Sequence, residues 1–269
     1  MDLPAYNTLI LSDLHLGAEM SHAREATRVL KENRFERLIL LGDIFADLNF
    51  ARLTKEHWKF LGLIRKLSNP KRKIEVVWVE GNHDHGLADI MSHLVGVRVY
   101  HHYEWTYRGL RHLAIHGHQF DGFQVNQLRL SRVGTSLYLA LQKLDFKKKP
   151  IVRLIDRLNT RWLRMSSKVS AGALEYARRY AADRVFCGHT HEALRIEQEG
   201  IEYYNSGGWV DSRLTYLTID ELGVQIHDYH ERTDDRDSGE ERSEADSSFT
   251  DFADESGLLE NVEYESVGR

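Results

Sequence analysis

Short apolar runs recur along the chain, and each stops abruptly at polar residues. Thr8-Leu9-Ile10-Leu11 ends at Ser12-Asp13-Leu14-His15, Leu38-Ile39-Leu40-Leu41 at Gly42-Asp43, and Val76-Val77-Trp78-Val79 at Glu80-Gly81-Asn82-His83-Asp84. Leu113-Ala114-Ile115 ends at His116-Gly117-His118, and Arg184-Val185-Phe186-Cys187 at Gly188-His189-Thr190-His191. Short apolar runs bounded by turn formers read as buried strands. Helical stretches at 23–33 and 54–67 separate the early runs, so strand and helix alternate as in layered α/β folds. Ligands of open α/β sheets gather at the carboxyl ends of strands, where these polar clusters fall. From Ile201 onward the pattern holds strands alone, Ile201 to Tyr204, Leu214 to Ile219 and Val224 to Tyr229, and predicts a second sheet.

Between Gln124 and Tyr180 the period becomes helical. Ile151, Leu154, Ile155, Leu158 and Trp162 share one face, while Arg153, Arg157, Arg161, Arg164 and Lys168 form a stripe about 120° around from it. An earlier helix is expected over roughly 124–144. Lys147-Lys148-Lys149-Pro150 separates the two, because proline suits the first turn of the second. The pattern predicts a basic helical hairpin, 124–180, inserted between two strands of the main body.

The 269 residues, 42% of them apolar and 29% charged, suffice for a sizeable core. No apolar run approaches the roughly 18 residues that cross a bilayer. The N-terminus lacks the basic start and hydrophobic core of an export signal, and the lone Cys187 forms no internal disulfide, so a cytoplasmic location is expected. The net charge of −5 hides an asymmetry: residues 231–269 carry −10 and residues 124–180 carry +10. The acidic, apolar-poor segment 231–269 reads as a disordered tail beyond a domain at 1–230. The basic segment implies an anionic partner or a solvated face.

Of the fifteen histidines, His22, His57, His93, His101, His102, His112, His227 and His230 read as structural or exposed. Asp13, His15, Asp43, Asn82, His116, His189 and His191 differ, because all follow strand ends and can project into one crevice. Oxygen and imidazole donors without thiolate suit Mn, Fe or Zn. Seven side chains exceed the usual complement of one ion. Two ions about 3.5–4 Å apart, sharing a carboxylate, clamp the attacking and leaving oxygens of phosphoryl transfer. Two carboxylates against two dications leave a positive centre that attracts phosphate and makes hydroxide available for attack near neutrality.

Asp13-Leu14-His15, Gly42-Asp43, Gly81-Asn82-His83-Asp84, His116-Gly117-His118 and Gly188-His189-Thr190-His191, in that order, resemble the motif set of the calcineurin-like metallophosphoesterases. The resemblance implies a four-layered α/β/β/α sandwich and two divalent cations. Asp13, His15, Asp43 and His191 would hold one and Asp43, Asn82, His116 and His189 the other, with Asp43 bridging. His83 would contact the phosphate and protonate the leaving oxygen, with Asp84 orienting its imidazole. Some relatives of this fold act as protein-binding scaffolds after losing catalytic residues; here every block is present.

Within that superfamily the chain is most similar to the UDP-2,3-diacylglucosamine hydrolases of lipid A synthesis. The similarity rests on Ser12 to Gly17, Gly42-Asp43-Ile44-Phe45, His116 to Asp121, the helical insert after it, and Tyr204 to Val210. It implies a manganese enzyme that cleaves the pyrophosphate of a UDP-linked lipid sugar, with the hairpin as a lid over acyl chains. Arg and Lys of the hairpin would meet phosphates or the anionic inner face of a membrane, a peripheral contact. His83 stands where that branch carries Arg, and Ser206 and Gly208 replace its Thr and Asp. A generic phosphodiesterase or phosphomonoesterase therefore stays open, as does a hairpin packed on the body or on a second subunit. A nuclease ranks third, because the charge follows an amphipathic helix and not a groove of base-stacking aromatics.

Overall fold

The computed structural model describes residues 3–87, 91–93, 95–121 and 166–231. The chain divides into two units, Met1–His230 and Glu231–Arg269, and apart from Glu231 the described residues belong to the first.

Two mixed sheets stack face to face. The first has six strands: β1 (Ala5–Leu11), β2 (Arg34–Leu41), β3 (Glu75–Val79), β4 (Arg98–Tyr100), β10 (Thr215–Asp220) and β11 (Gly223–Asp228), in the order β11-β10-β1-β2-β3-β4. The second has five: β5 (His102–Tyr107), β6 (Leu110–Ile115), β7 (Arg184–Cys187), β8 (Leu194–Gln198) and β9 (Ile201–Asn205), in the order β5-β6-β7-β9-β8. β1, β2, β3 and β4 run parallel, as do β6, β7 and β9.

Period-2 alternation explains why the central strands read as unbroken apolar runs. Ile10, Ile39, Leu41, Val77 and Val79 face the second sheet, where they meet Trp105, Ala114, Phe186 and Tyr204. Their neighbours Leu9, Leu11, Leu38, Leu40 and Trp78 face helices α1 (Ala23–Glu32) and α2 (Lys55–Leu67). Strands buried on both faces need apolar residues at both parities. On the far side, Leu113, Ile115, Val185 and Cys187 of the second sheet pack against Ala173, Leu174 and Ala177 of α3 (Ser166–Arg179). The layers are therefore helix, sheet, sheet, helix, the expected four-layered α/β fold.

One expectation needs correction. Only β9 of the three late strands joins the second sheet. β10 and β11 extend the first, because β1 has an open edge on which β10 pairs antiparallel, Thr8 opposite Ile219, and Leu217 and Ile219 extend the inter-sheet core. Within the expected insert, α3 buries Val169, Ser170, Ala173, Leu174 and Ala177 at helical spacing and packs on the second sheet. The rest of the expected hairpin, with Pro150 and the stripe from Arg153 to Arg164, lies outside the described residues, as does the tail from 232 onward. Among the described residues no helix is long and apolar enough to cross a membrane.

Two of the histidines expected to be structural are so. His57 accepts the backbone N–H groups of Gly17 at 3.3 Å and Thr54 at 3.1 Å, which fastens α2 to the loop after β1. His112 is buried between Trp105 and Phe186, with ring centroids 5.0 and 5.8 Å away, and burial pushes its pKa down to about 4. Cys187 is a buried thiol in the α3 interface. If α3 is part of the body, Leu174→Ala will cost about 2–5 kcal/mol, read as a lower urea midpoint at unchanged slope.

Candidate metal centre

β1, β2 and β3 of the first sheet and β6 and β7 of the second send their following loops to one rim. Backbone hydrogen bonds knit these loops together. Asp13 N–H donates to Gly42 O at 3.0 Å, His15 N–H to Asp43 O at 3.0 Å and Leu16 N–H to Ile44 O at 2.7 Å. Within the second sheet, Gly188 N–H donates to His116 O at 3.1 Å, and between the sheets Trp209 N–H donates to Asp13 O at 3.0 Å.

Close approach demands glycine at two of these joints. A Cβ on Gly81 would overlap the backbone nitrogen and carboxylate of Asp43, and one on Gly188 would overlap the carboxylate of Asp13. Asp13, His15, Asp43, His189 and His191 have φ of 53°, 47°, 50°, 68° and 54°, five of the nine non-glycine residues with positive φ among those described. Such conformations cost free energy and persist where the surroundings over-determine them, as at ligand clamps.

The side chains converge in three overlapping groups. The ligand atoms of Asp13, His15 and His191, of His15, Asp43 and His83, and of Asp43, His116 and His189 lie within 4.8 Å of one another in each group. Asp43 Oδ2 is 3.3 Å from His116 Nε2, and Asp13 Oδ1 is 3.3 Å from His191 Nε2. The backbone N–H groups of His83 and His189 donate to Asp43 Oδ1 at 2.9 Å and Asp13 Oδ2 at 3.0 Å, which fixes both carboxylates. Asn82 Oδ1 is buried without a hydrogen-bond partner.

Charge follows from this packing. Burial opposes ionisation of Asp13 and Asp43, yet the imidazoles outweigh it: His191 holds Asp13 below the usual carboxylate range, and His116 and His83 hold Asp43 well below it. Burial also opposes the charge of His116 and His191, but Asp43 raises the first to about 9 and Asp13 the second to about 10. Burial, then the charge of His83, lowers His15 to about 3. Burial, then His116, lowers His189.

The position of Asp84 corrects one expectation. Its carboxylate accepts the Ile44 and Phe45 N–H groups at 3.0 and 2.9 Å and the Trp78 Nε1–H at 3.4 Å. It therefore pins the backbone after β2 and does not hold the imidazole of His83. Burial and the charge of Asp43 raise its carboxyl to about 7, against the pull of those two backbone N–H groups. The His83 ring, with 38% of its side chain exposed, meets Ala46 O through Nδ1 at 2.6 Å. No sequence pattern marks a backbone carbonyl as an orienting group.

Three further residues reach the cluster. Asp121 Oδ2 lies 3.4 Å from His189 Nε2, and Asp211 Oδ2 lies 3.5 Å from His191 Nδ1. His118 sits with its ring centroid 5.5 Å from that of His116 and 6.4 Å from that of His189. Sequence reasoning placed Asp121 only within a motif and passed over Asp211.

The residues fit divalent transition cations. The donors are carboxylate oxygen, amide oxygen and imidazole nitrogen, and a buried polar atom without a hydrogen-bond partner, such as Asn82 Oδ1, is costly unless something satisfies it.

This fold and this donor cluster are of the metallophosphoesterase type, with a candidate site for divalent cations. Residues 6–193 match the calcineurin-like phosphoesterase family, and the chain belongs to that family. No curated protein matches it in sequence. It is similar in structure to a novel archaeal phosphodiesterase, at 15% identity and TM-score 0.46 over 82% of this chain and 99% of that one. It is also similar to vacuolar protein sorting 29 from Cryptosporidium parvum, at 13% identity and TM-score 0.43 over 85% and 98%. A Thermotoga maritima protein aligns at 19% identity and TM-score 0.42 over 82% and 97%.

Gly81→Ala will cost about 1–3 kcal/mol through overpacking against Asp43, visible as a lower melting temperature together with lost metal content. Cation uptake requires the imidazoles of His116 and His191 to give up protons that they hold up to about 9 and 10. Asp13 and Asp43 are already ionised and His15 already neutral. Loading at pH 7 will therefore release about two protons per chain, and affinity will rise with pH. Calorimetry in buffers of different ionisation enthalpy reads that number.

Proposed function

We propose that the chain is a two-cation hydrolase, with Asp13, His15, Asp43 and His191 holding one cation and Asp43, Asn82, His116 and His189 the other. The observation that carries this reading is the continuity of the donor groups, with His15 and Asp43 each belonging to two of the three. When bound, a pair of divalent cations polarises a phosphoryl group and acidifies water. Manganese is the proposed ion, and iron or zinc suit the same donors.

The chain's own residues do the rest. The buried Asp43 carboxylate is fixed by the His83 N–H at 2.9 Å, so it cannot swing as substrate arrives. His83 faces the same carboxylate through Nε2, at 3.9 Å from Asp43 Oδ2. Its Nδ1 meets the Ala46 carbonyl, an acceptor only, so Nδ1 carries one hydrogen; in the imidazolium form Nε2 carries the second, the proton it would deliver to the leaving oxygen as the ring returns to neutral.

For the substrate we propose the pyrophosphate of a UDP-linked diacylated sugar, cleaved to UMP and a lipid sugar phosphate. The sequence similarity at Ser12 to Gly17, His116 to Asp121 and Tyr204 to Val210 supports this. In the last segment, Trp209 N–H reaches Asp13 O and the Ser206 hydroxyl lies 2.7 Å from that of Ser12, so it backs the loop bearing Asp13. The +10 charge over 124–180 supports an anionic partner, either substrate phosphate or a peripheral contact with an anionic membrane surface.

Turnover of manganese-loaded protein on UDP-2,3-diacylglucosamine and on an aryl phosphodiester tests the reading. Release of UMP is expected. Activity on the aryl ester alone selects the generic phosphodiesterase, and silence on both with cations bound selects a protein-binding scaffold. His83→Ala will lower kcat by about 10² to 10⁴ at unchanged metal content; an unchanged kcat removes its role as acid.

A further inference from the structure

The two histidines of the Gly188-His189-Thr190-His191 block sit in different donor groups, His191 with Asp13 and His15, His189 with Asp43 and His116. Both have left-handed backbone, φ 68° and 54°. His116 shows how a ring at this rim is fixed from outside: its Nδ1 meets the Leu41 carbonyl at 2.9 Å and its Nε2 is turned to Asp43.

The other two rings are flanked in a similar way, with carboxylates in place of the carbonyl. His191 turns Nε2 to Asp13 at 3.3 Å and Nδ1 to Asp211 at 3.5 Å, an ion-pair separation longer than a hydrogen bond. His189 turns Nε2 to Asp121 at 3.4 Å, which leaves Nδ1 for the cation, and both side chains are buried. The two carboxylates come from separate loops that are themselves tied to the site. Asp121 closes the turn His118–Phe120 through its N–H to His118 O at 3.2 Å. Asp211 follows Trp209, whose N–H reaches Asp13 O.

We propose that Asp121 and Asp211 are positioning residues, each orienting one histidine and so serving one of the two cations. The inference rests on the two-cation reading and extends it beyond the motif blocks. A carboxylate on the outer nitrogen fixes the tautomer, holds the ring plane and raises the basicity of the ligating nitrogen. It also alters the charge of the centre: with Asp13 and Asp43, these residues bring four carboxylates to two dications.

The test is calorimetric titration of the metal-free full-length chain with manganese, with bound metal counted after gel filtration. The wild type is expected to take two ions. Asp121→Ala and Asp211→Ala will each weaken one binding step about 10- to 100-fold and spare the other, while Asp121→Asn and Asp211→Asn, which keep an acceptor oxygen, recover most of the loss. A merely structural role would lower the melting temperature of the metal-free protein without this one-site selectivity. Asp211 is partly exposed, so its variants carry the test if the buried Asp121→Ala fails to fold. Wild-type affinity at both steps in the alanine variants, or equal loss in the alanine and asparagine pairs, overturns this inference alone. Fewer than two ions in the wild type overturns the two-cation reading and this inference with it.

Discussion

The attraction between two buried carboxylates and the imidazoles around them holds this molecule's working end together. Asp13 and Asp43 are fully enclosed, where an isolated carboxylate could not remain charged. Each survives because a histidine nitrogen and a backbone N–H face it, His191 and His189 N–H for Asp13, His116 and His83 N–H for Asp43. These partners come from both sheets, so the charge cluster is also a clasp between them. Divalent cations would take over the same role, since they would satisfy carboxylate and imidazole lone pairs at once.

The fold stores strain at that clasp and offsets it elsewhere. Five positive-φ side chains and two glycines pressed against carboxylates form a local arrangement that no short peptide would adopt. The inter-sheet layer compensates with large, fully buried apolar contacts, among them Phe186 stacked between Trp105 and Tyr204 with centroids 5.5 Å apart on each side.

Some of the site's support was not legible because its signal is not local. The family resemblance implied that Asp84 orients the imidazole of His83, yet the Asp84 carboxylate accepts the Ile44 and Phe45 N–H groups instead. Asp121 and Asp211 lie 68 and 20 positions from the rings they face, and only the packing of loops brings them there. The late strands misled for a related reason. Alternation identifies a strand and its buried face but not which of two sheets has an open edge to receive it, and β10 found that edge at β1.

The sequence by itself determined the strand–loop units, because apolar runs must be buried and the abrupt change to Asp, Asn, Gly and His marks where each run leaves the core. It also determined the donor chemistry, since residue type alone sets which cations those side chains suit. The tertiary structure decided that three strand ends of one sheet and two of the other share a rim, and which nitrogen of each histidine faces inward. It also decided that α3 belongs to the body. These depend on sheet stacking and loop packing, interactions between residues far apart in the chain, which no local pattern encodes.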